Sequence, residues 1–202
     1  MKLITHSLLL ILFLVGISNT SIAQKANTAR TKPKRVTLEE ITYAITNGFG
    51  SKMRVVTDTQ PFYLLGDFNG DGYSDLAVLV NPEEAKAELK QHGVRYVDVD
   101  PSSSNNGKES DPESATFQYC LGIALMHGGE REWSTPPPEG KYLFYECFIP
   151  FRLVPKATII HRYRGGRKRP PRLRGDGIYL YLERDAGSIV YWTGTTYRGY
   201  YQ

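Results

Sequence analysis

Apolar positions along the chain fall into two regimes. Near the beginning, Leu38, Ile41 and Ile45 recur at helical spacing up to Gly48, which lays a single stripe along an α-helix. Thr37-Leu38-Glu39-Glu40 opens this stretch in the form of a capping box, with Thr37 as N-cap and Glu40 reaching back to it. A short amphipathic helix is predicted here, covering one face of a sheet. Further along, short runs rich in β-branched and aromatic residues take over: Pro61 to Leu65, Leu76 to Val80, Phe117 to Met126, Tyr142 to Ile149, Ala157 to Tyr163, Gly177 to Leu182 and Ser188 to Trp192, then a last hairpin through Thr193-Gly194 to Tyr200. Each has the length and composition of a strand.

Two segments interrupt the strands. Asn81-Pro82-Glu83-Glu84 supplies an N-cap, a proline at the first helical position and acids in the first turn, predicting a second helix from Pro82 to about Gln91 that Gly93 closes. Ala85 and Leu89 are its only apolar stripe, so it is expected to be solvated and loosely attached. From Asp100 to Ser114 the composition turns to Pro, Ser, Asn, Gly and Glu, which cannot bury enough apolar surface to order itself, and an exposed loop is expected. Helices early and strands late, without βαβ alternation, point to an α+β domain built on an antiparallel sheet.

The beginning of the chain belongs to neither regime. Lys2 is followed by the apolar run Leu8 to Val15 and then by Ser21-Ile22-Ala23, a small-x-small cleavage site. The run falls well short of the roughly 18 residues that span a bilayer. Residues 1–23 therefore read as a signal peptide, 24–36 as a flexible basic linker and 37–202 as one domain, with no stable membrane insertion after cleavage. The expected location is extracytoplasmic, either periplasmic or secreted. The formal charge of the 202-residue chain, +4, is too small to identify a nucleic-acid binder by bulk charge. Cys120 and Cys147 are the two cysteines. Paired, they close a loop of roughly 27 residues worth ~3–4 kcal/mol; unpaired, they pack as small hydrophobes, and both readings stand.

The most specific chemistry lies between the second and third apolar runs, in Asp67-Phe68-Asn69-Gly70-Asp71-Gly72-Tyr73-Ser74-Asp75. Alternate positions carry side-chain oxygens, and glycines permit the tight turns that a loop needs to wrap a cation. Calcium takes six to eight hard oxygen ligands, whereas magnesium demands a stricter octahedron. The expected ligands are Asp67, Asn69, Asp71, the Tyr73 carbonyl and Asp75, the last directly or through water. The same residues also favour a solvated turn without any metal.

An EF-hand or dockerin loop would place an acid at position twelve and continue as a helix; here that position is Val78, inside an apolar β-branched run. By contrast, Gly66-Asp67-Phe68-Asn69-Gly70-Asp71-Gly72-Tyr73-Ser74-Asp75-Leu76-Ala77-Val78 closely resembles the calcium-binding element of FG-GAP or VCBS-type repeats. In those repeats the loop joins two strands and ends in an aspartate followed by Leu-Ala-Val. The resemblance implies a strand-loop-strand calcium site in an exported protein. Such repeats assemble in series into β-propellers, and a single copy here implies the loop without the propeller. Gly175-Asp176-Gly177-Ile178 and Tyr191 to Arg198 resemble small exported bacterial proteins carrying one such loop, and imply no activity.

Three further features carry functional readings. The basic run from Arg162 to Arg174 also holds Arg164, Arg167, Lys168, Arg169 and Arg172; interrupted by Gly and Pro, it is expected to be a loop. It either holds an anionic polymer through charge-assisted hydrogen bonds or is a solvated face. Tyr191, Trp192, Tyr197, Tyr200 and Tyr201 form either a stacking platform or cross-strand pairs. His127 with Glu130 and Glu132, or His161, can assist a hydrolysis, but no nucleophile or metalloprotease motif frames them. Two functions follow: an exported calcium-binding structural or ligand-binding module, or a hydrolase acting on an envelope or extracellular polymer. A pocket gathering His127, Glu130 or His161 beside the acidic loop would favour the hydrolase.

Overall fold

The structure, a computed structural model, describes residues 36–111, 121–130, 133, 140–145, 151–162, 168–181 and 187–202. The signal-peptide reading, nearly all of the linker, both cysteines, Glu132, Arg164 and Arg167 lie outside the described residues. Residues Val36–Gln202 form one compact unit. Among the described residues no helix is long and apolar enough to cross a membrane.

Helix α1 (Leu38–Phe49) starts at the expected box: Glu40 N–H donates to Thr37 Oγ1 at 3.2 Å and Thr37 N–H to Glu40 Oε2 at 2.8 Å. Ile41, Ala44, Ile45 and Phe49 are buried, while Leu38 is half exposed. Next come β1 (Arg54–Val55), β2 (Tyr63–Gly66), β3 (Asp75–Asn81), α2 (Lys86–Leu89), β4 (Arg95–Val97), β5 (Glu109–Ser110), β6 (Gly122–Met126), β7 (Lys141–Tyr145), β8 (Phe151–Val154), β9 (Gly177–Tyr181), β10 (Gly187–Trp192) and β11 (Tyr197–Tyr201).

They build two sheets. The first runs β1-β3-β6-β7-β4-β5, with β2 also on β3, and only the β4–β7 pair is parallel. The second is an antiparallel β11-β10-β9-β8. The architecture is thus α+β and mostly antiparallel sheet, with few helices. Strand β3 explains the layering, because it is buried on both faces. Leu76, Val78 and Val80 pack with α1, whereas Ala77 and Leu79 pack toward Ile178, Leu180 and Val190 of the second sheet. A strand covered on both sides reads as a continuous apolar run, as Leu76 to Val80 does.

Three expectations are corrected, and three short strands were not foreseen. The second helix is one turn, Lys86–Leu89, and it is not loosely attached: Ala85 and Leu89 are fully buried in the α1 core. Burying a leucine contributes about 1.5–3 kcal/mol, so one turn with two well-placed apolar residues is held firmly. The stretch from Ala157 to Arg162 is not a strand; the strand lies earlier, at Phe151–Val154, and a turn follows in which Thr158 N–H donates to Pro155 O at 2.8 Å. Pro155 has no N–H to extend a ladder. The described part of the Asp100–Ser114 loop is ordered without an apolar core of its own, because Asn106 exchanges two 2.9 Å hydrogen bonds with the Gly199 backbone of β11. Strands β1, β4 and β5, two or three residues each, carry too little pattern to be foreseen.

The sheets also meet where the acidic loop touches the entry to β9. Asp176 N–H donates to Asp67 O at 2.6 Å, and Asp67 N–H donates back to Asp176 Oδ2 at 3.1 Å. Gly175 permits this approach: a Cβ there would collide with the Asp67 carbonyl oxygen and lie 2.6 Å from Gly70 N. Gly175→Ala is expected to cost about 1–3 kcal/mol in urea unfolding, as overpacking does. An unchanged midpoint would mean that loop and strand do not meet this closely.

Candidate metal centre

The acidic loop joins β2 to β3 and is wound on its own side chains. Asp67 Oδ1 accepts Gly70 N–H at 2.7 Å and its Oδ2 accepts Gly72 N–H at 3.2 Å. Asn69 Oδ1 accepts Asp71 N–H at 3.0 Å, and Asp71 Oδ1 accepts Tyr73 N–H at 2.9 Å. Asx side chains offer the backbone these local bonds in place of a ladder. Gly70 and Gly72 turn the chain at φ 81° and 92°, in the left-handed region.

Asp75, the last acid, behaves differently. It is fully buried at the start of β3. Its Oδ2 accepts Phe68 N–H at 2.7 Å and Asn69 N–H at 3.2 Å, and its Oδ1 accepts Gly128 N–H at 2.7 Å. One carboxylate therefore closes the loop and ties it to the end of β6. Burial pushes the Asp75 pKa up to about 7, the three backbone donors oppose this, and the charge of Asp71 adds to it.

Beyond Gly128 lies a seat of aromatic rings. His127 Nε2 and the Tyr197 hydroxyl are 2.7 Å apart, and the His127 ring centroid lies 5.1 Å from Tyr142, 5.4 Å from Trp192 and 5.8 Å from Tyr197. Burial lowers the His127 pKa to about 4; Arg95 acts in the same direction, against Asp71 and Asp67. The Tyr197 hydroxyl is held well above its ordinary pKa by burial first, then by Asp75, Tyr142, Asp71 and Asp67. All three loop carboxylates thus bear on this tyrosine.

Donor chemistry suits a hard divalent cation: three carboxylates, one amide oxygen and the Tyr73 carbonyl in nine residues, each oxygen with more than one lone pair. Among the described residues, however, no three His, Cys, Asp or Glu side chains stand gathered at metal-ligating distance. The loop oxygens are turned instead to backbone amides, and Asn69 Nδ2 donates to Asp71 Oδ2 at 2.7 Å.

Other candidates separate. His127 is beside the loop, whereas Glu130 and His161 are exposed. Two cavities bounded by described residues, of about 470 and 380 Å³, take in none of these three. The C-terminal aromatics divide by strand alternation: Trp192 and Tyr197 are cross-strand partners packed toward His127, while Tyr191 and Tyr200 pack with the cluster on the other side of the second sheet. Sequence reasoning missed the roles of Tyr142 and Asp176. Nothing local marks Tyr142, but Asp176 between two glycines was visible as an echo of the acidic loop. Set against known protein families, characterised proteins and solved structures, the chain matches none.

The histidine yields a test. Its folded pKa lies below the ordinary 6.5, so between about pH 6.5 and 4 the unfolded chain binds the extra proton and stability falls on acidification, by up to about 3 kcal/mol. Asp75, with its raised pKa, acts oppositely: its stabilisation is complete below about pH 4 and is lost as pH rises through about 7. Wild type and His127→Gln should therefore differ in their urea midpoints by an amount that changes between pH 7 and 4.5, with wild type losing more on acidification. A constant difference would place His127 in solvent.

Proposed function

We propose that the chain is an exported calcium-binding module in which one cation stiffens the β2–β3 turn and, through Asp75, its junction with β6. The observation that carries the reading is Asp75 itself: a buried carboxylate that accepts three backbone N–H groups, follows Asp67 and Asp71 in one loop and has its pKa raised by burial first and further by the charge of Asp71. A divalent cation held by Asp67, Asn69, Asp71, the Tyr73 carbonyl and Asp75 would offset that repulsion and favour the ionised form of Asp75. The likeness to FG-GAP or VCBS-type loops supports calcium, and the leader-like sequence before residue 24 supports export. The role is structural, since the loop leads directly into β3, a strand buried on both faces.

Calcium in hundredfold excess over its Kd should stabilise the protein by about 2.7 kcal/mol, a rise in Tm of roughly 5–10 °C. Chelator should reverse the rise and Asp71→Ala, at an exposed position, should abolish it. A melt indifferent to calcium would defeat the assignment. A proton must leave Asp75 for the ion to bind, so calcium affinity measured by titration calorimetry should fall as pH drops below about 7, approaching tenfold per pH unit. An affinity constant from pH 8 to 5.5 would exclude Asp75 from the ligand set.

A further inference from the structure

The described residues of the basic run do not form one patch. Arg172 lines the 470 Å³ cavity with Lys156, and the Arg174 guanidinium lies against Gly194. Lys168 and Arg169 instead line the 380 Å³ cavity, together with Lys108 from the Asp100–Ser114 loop and Arg198 from β11. Four cations from three distant segments thus converge on one hollow, and no carboxylate is among its lining residues. Among the described residues, none of the four takes part in an ion pair. Acids of the same stretch are engaged elsewhere: Asp98 accepts from the Ser103 hydroxyl, Asp100 from that of Ser102, and Glu109 pairs with Arg95.

The hollow is also built rigidly. Asn106 makes two hydrogen bonds with the Gly199 backbone, the Thr196 hydroxyl donates to Gly107 O at 3.2 Å, and Lys168 Nζ donates to Pro101 O at 3.2 Å. Gly199 is what lets the loop lie so close, since a Cβ there would strike the Val99 carbonyl oxygen. Lysine brings three donors, so Lys168 keeps others for a ligand after the Pro101 contact. Such preorganisation lowers the ordering cost of binding.

We propose that this cavity binds an acidic saccharide, a hydroxyl-rich ligand carrying carboxylate or sulfate groups. Its volume falls in the range of about 300–1,000 Å³ typical of small-ligand sites. Four cations without an ion-pair partner among the described residues demand a ligand with several negative charges, and Ser104 adds a hydroxyl to the lining. Tyr191 and Tyr200 supply apolar wall. Tyr200 is only 6% exposed and so lacks the free ring face on which a nucleic-acid base stacks. None of the lining residues belongs to the acidic loop, so the site stands or falls independently of calcium.

Titration calorimetry of the purified chain with hexagalacturonate, heparin hexasaccharide, galacturonic acid, maltohexaose and hexathymidylate tests the assignment. At least one acidic hexasaccharide should bind, neutral maltohexaose should not, and Arg198→Ser and Arg169→Ser should each weaken binding tenfold or more with unchanged melting temperatures. Arg172→Ser, in the other cavity, should leave affinity within twofold. Tighter binding of the hexamer than of galacturonic acid, which carries a single carboxylate, would support the site, and equal binding of the two would overturn the multiply charged ligand. Absence of acidic-saccharide binding, equal loss in Arg172→Ser, or hexathymidylate binding as tightly as the saccharides would overturn it.

Discussion

Asp75 is the constraint around which the described structure is organised. A carboxylate at the first residue of a strand buried on both faces has no access to solvent, and its stability rests on three backbone N–H groups. Two belong to the start of the acidic loop and one to the residue after His127. Satisfying one buried carboxyl group therefore sets the curvature of the loop, the entry of β3 and the exit of β6 together. Breaking that set would leave buried donors and a buried acceptor unpaired, a cost of about 1–3 kcal/mol for each group.

The same burial creates the chemistry of the neighbourhood. His127, Tyr142, Trp192 and Tyr197 seal the floor beside the loop, so the protein disfavours charge on the histidine and also on Asp75. Neutral histidine, hydroxyl and carboxyl groups coexist there more easily than ions. A cation at the loop would change that balance, which links the proposed calcium to the stiffness of the sheet and makes protons its competitors. Asp176 completes the arrangement from the other sheet: its side chain accepts Asp67 N–H and Lys156 N–H, so the loop is clamped from both sides.

Legibility in the sequence tracked how local each interaction is. The capping box at Thr37 and Glu40, the hairpin-like β2-loop-β3 unit and the C-terminal strands rest on neighbours in the chain or on a two-residue period, and they were readable. The one-turn helix at Lys86–Leu89 was misjudged because two apolar residues make a weak stripe, although they fill a core. The segment after Asp100 was misjudged because composition counts only what a stretch can bury by itself. Asn106 orders it on a strand 93 residues away.

The basic run shows the same limit. As a sequence from Arg162 to Arg174 it reads as one cationic loop, yet the fold parts Lys168 and Arg169 from Arg172 and Arg174 and sets the first two beside Lys108 and Arg198. What the chain by itself determined is the alternation of elements and the donor chemistry of Asp67, Asn69, Asp71, Tyr73 and Asp75, since spacing and side-chain type are local properties. Which of those acids is buried, which rings surround His127 and which cations share a cavity were decided only in the tertiary structure. Burial and long-range hydrogen bonds depend on segments that meet in space, and no window along the sequence contains both partners.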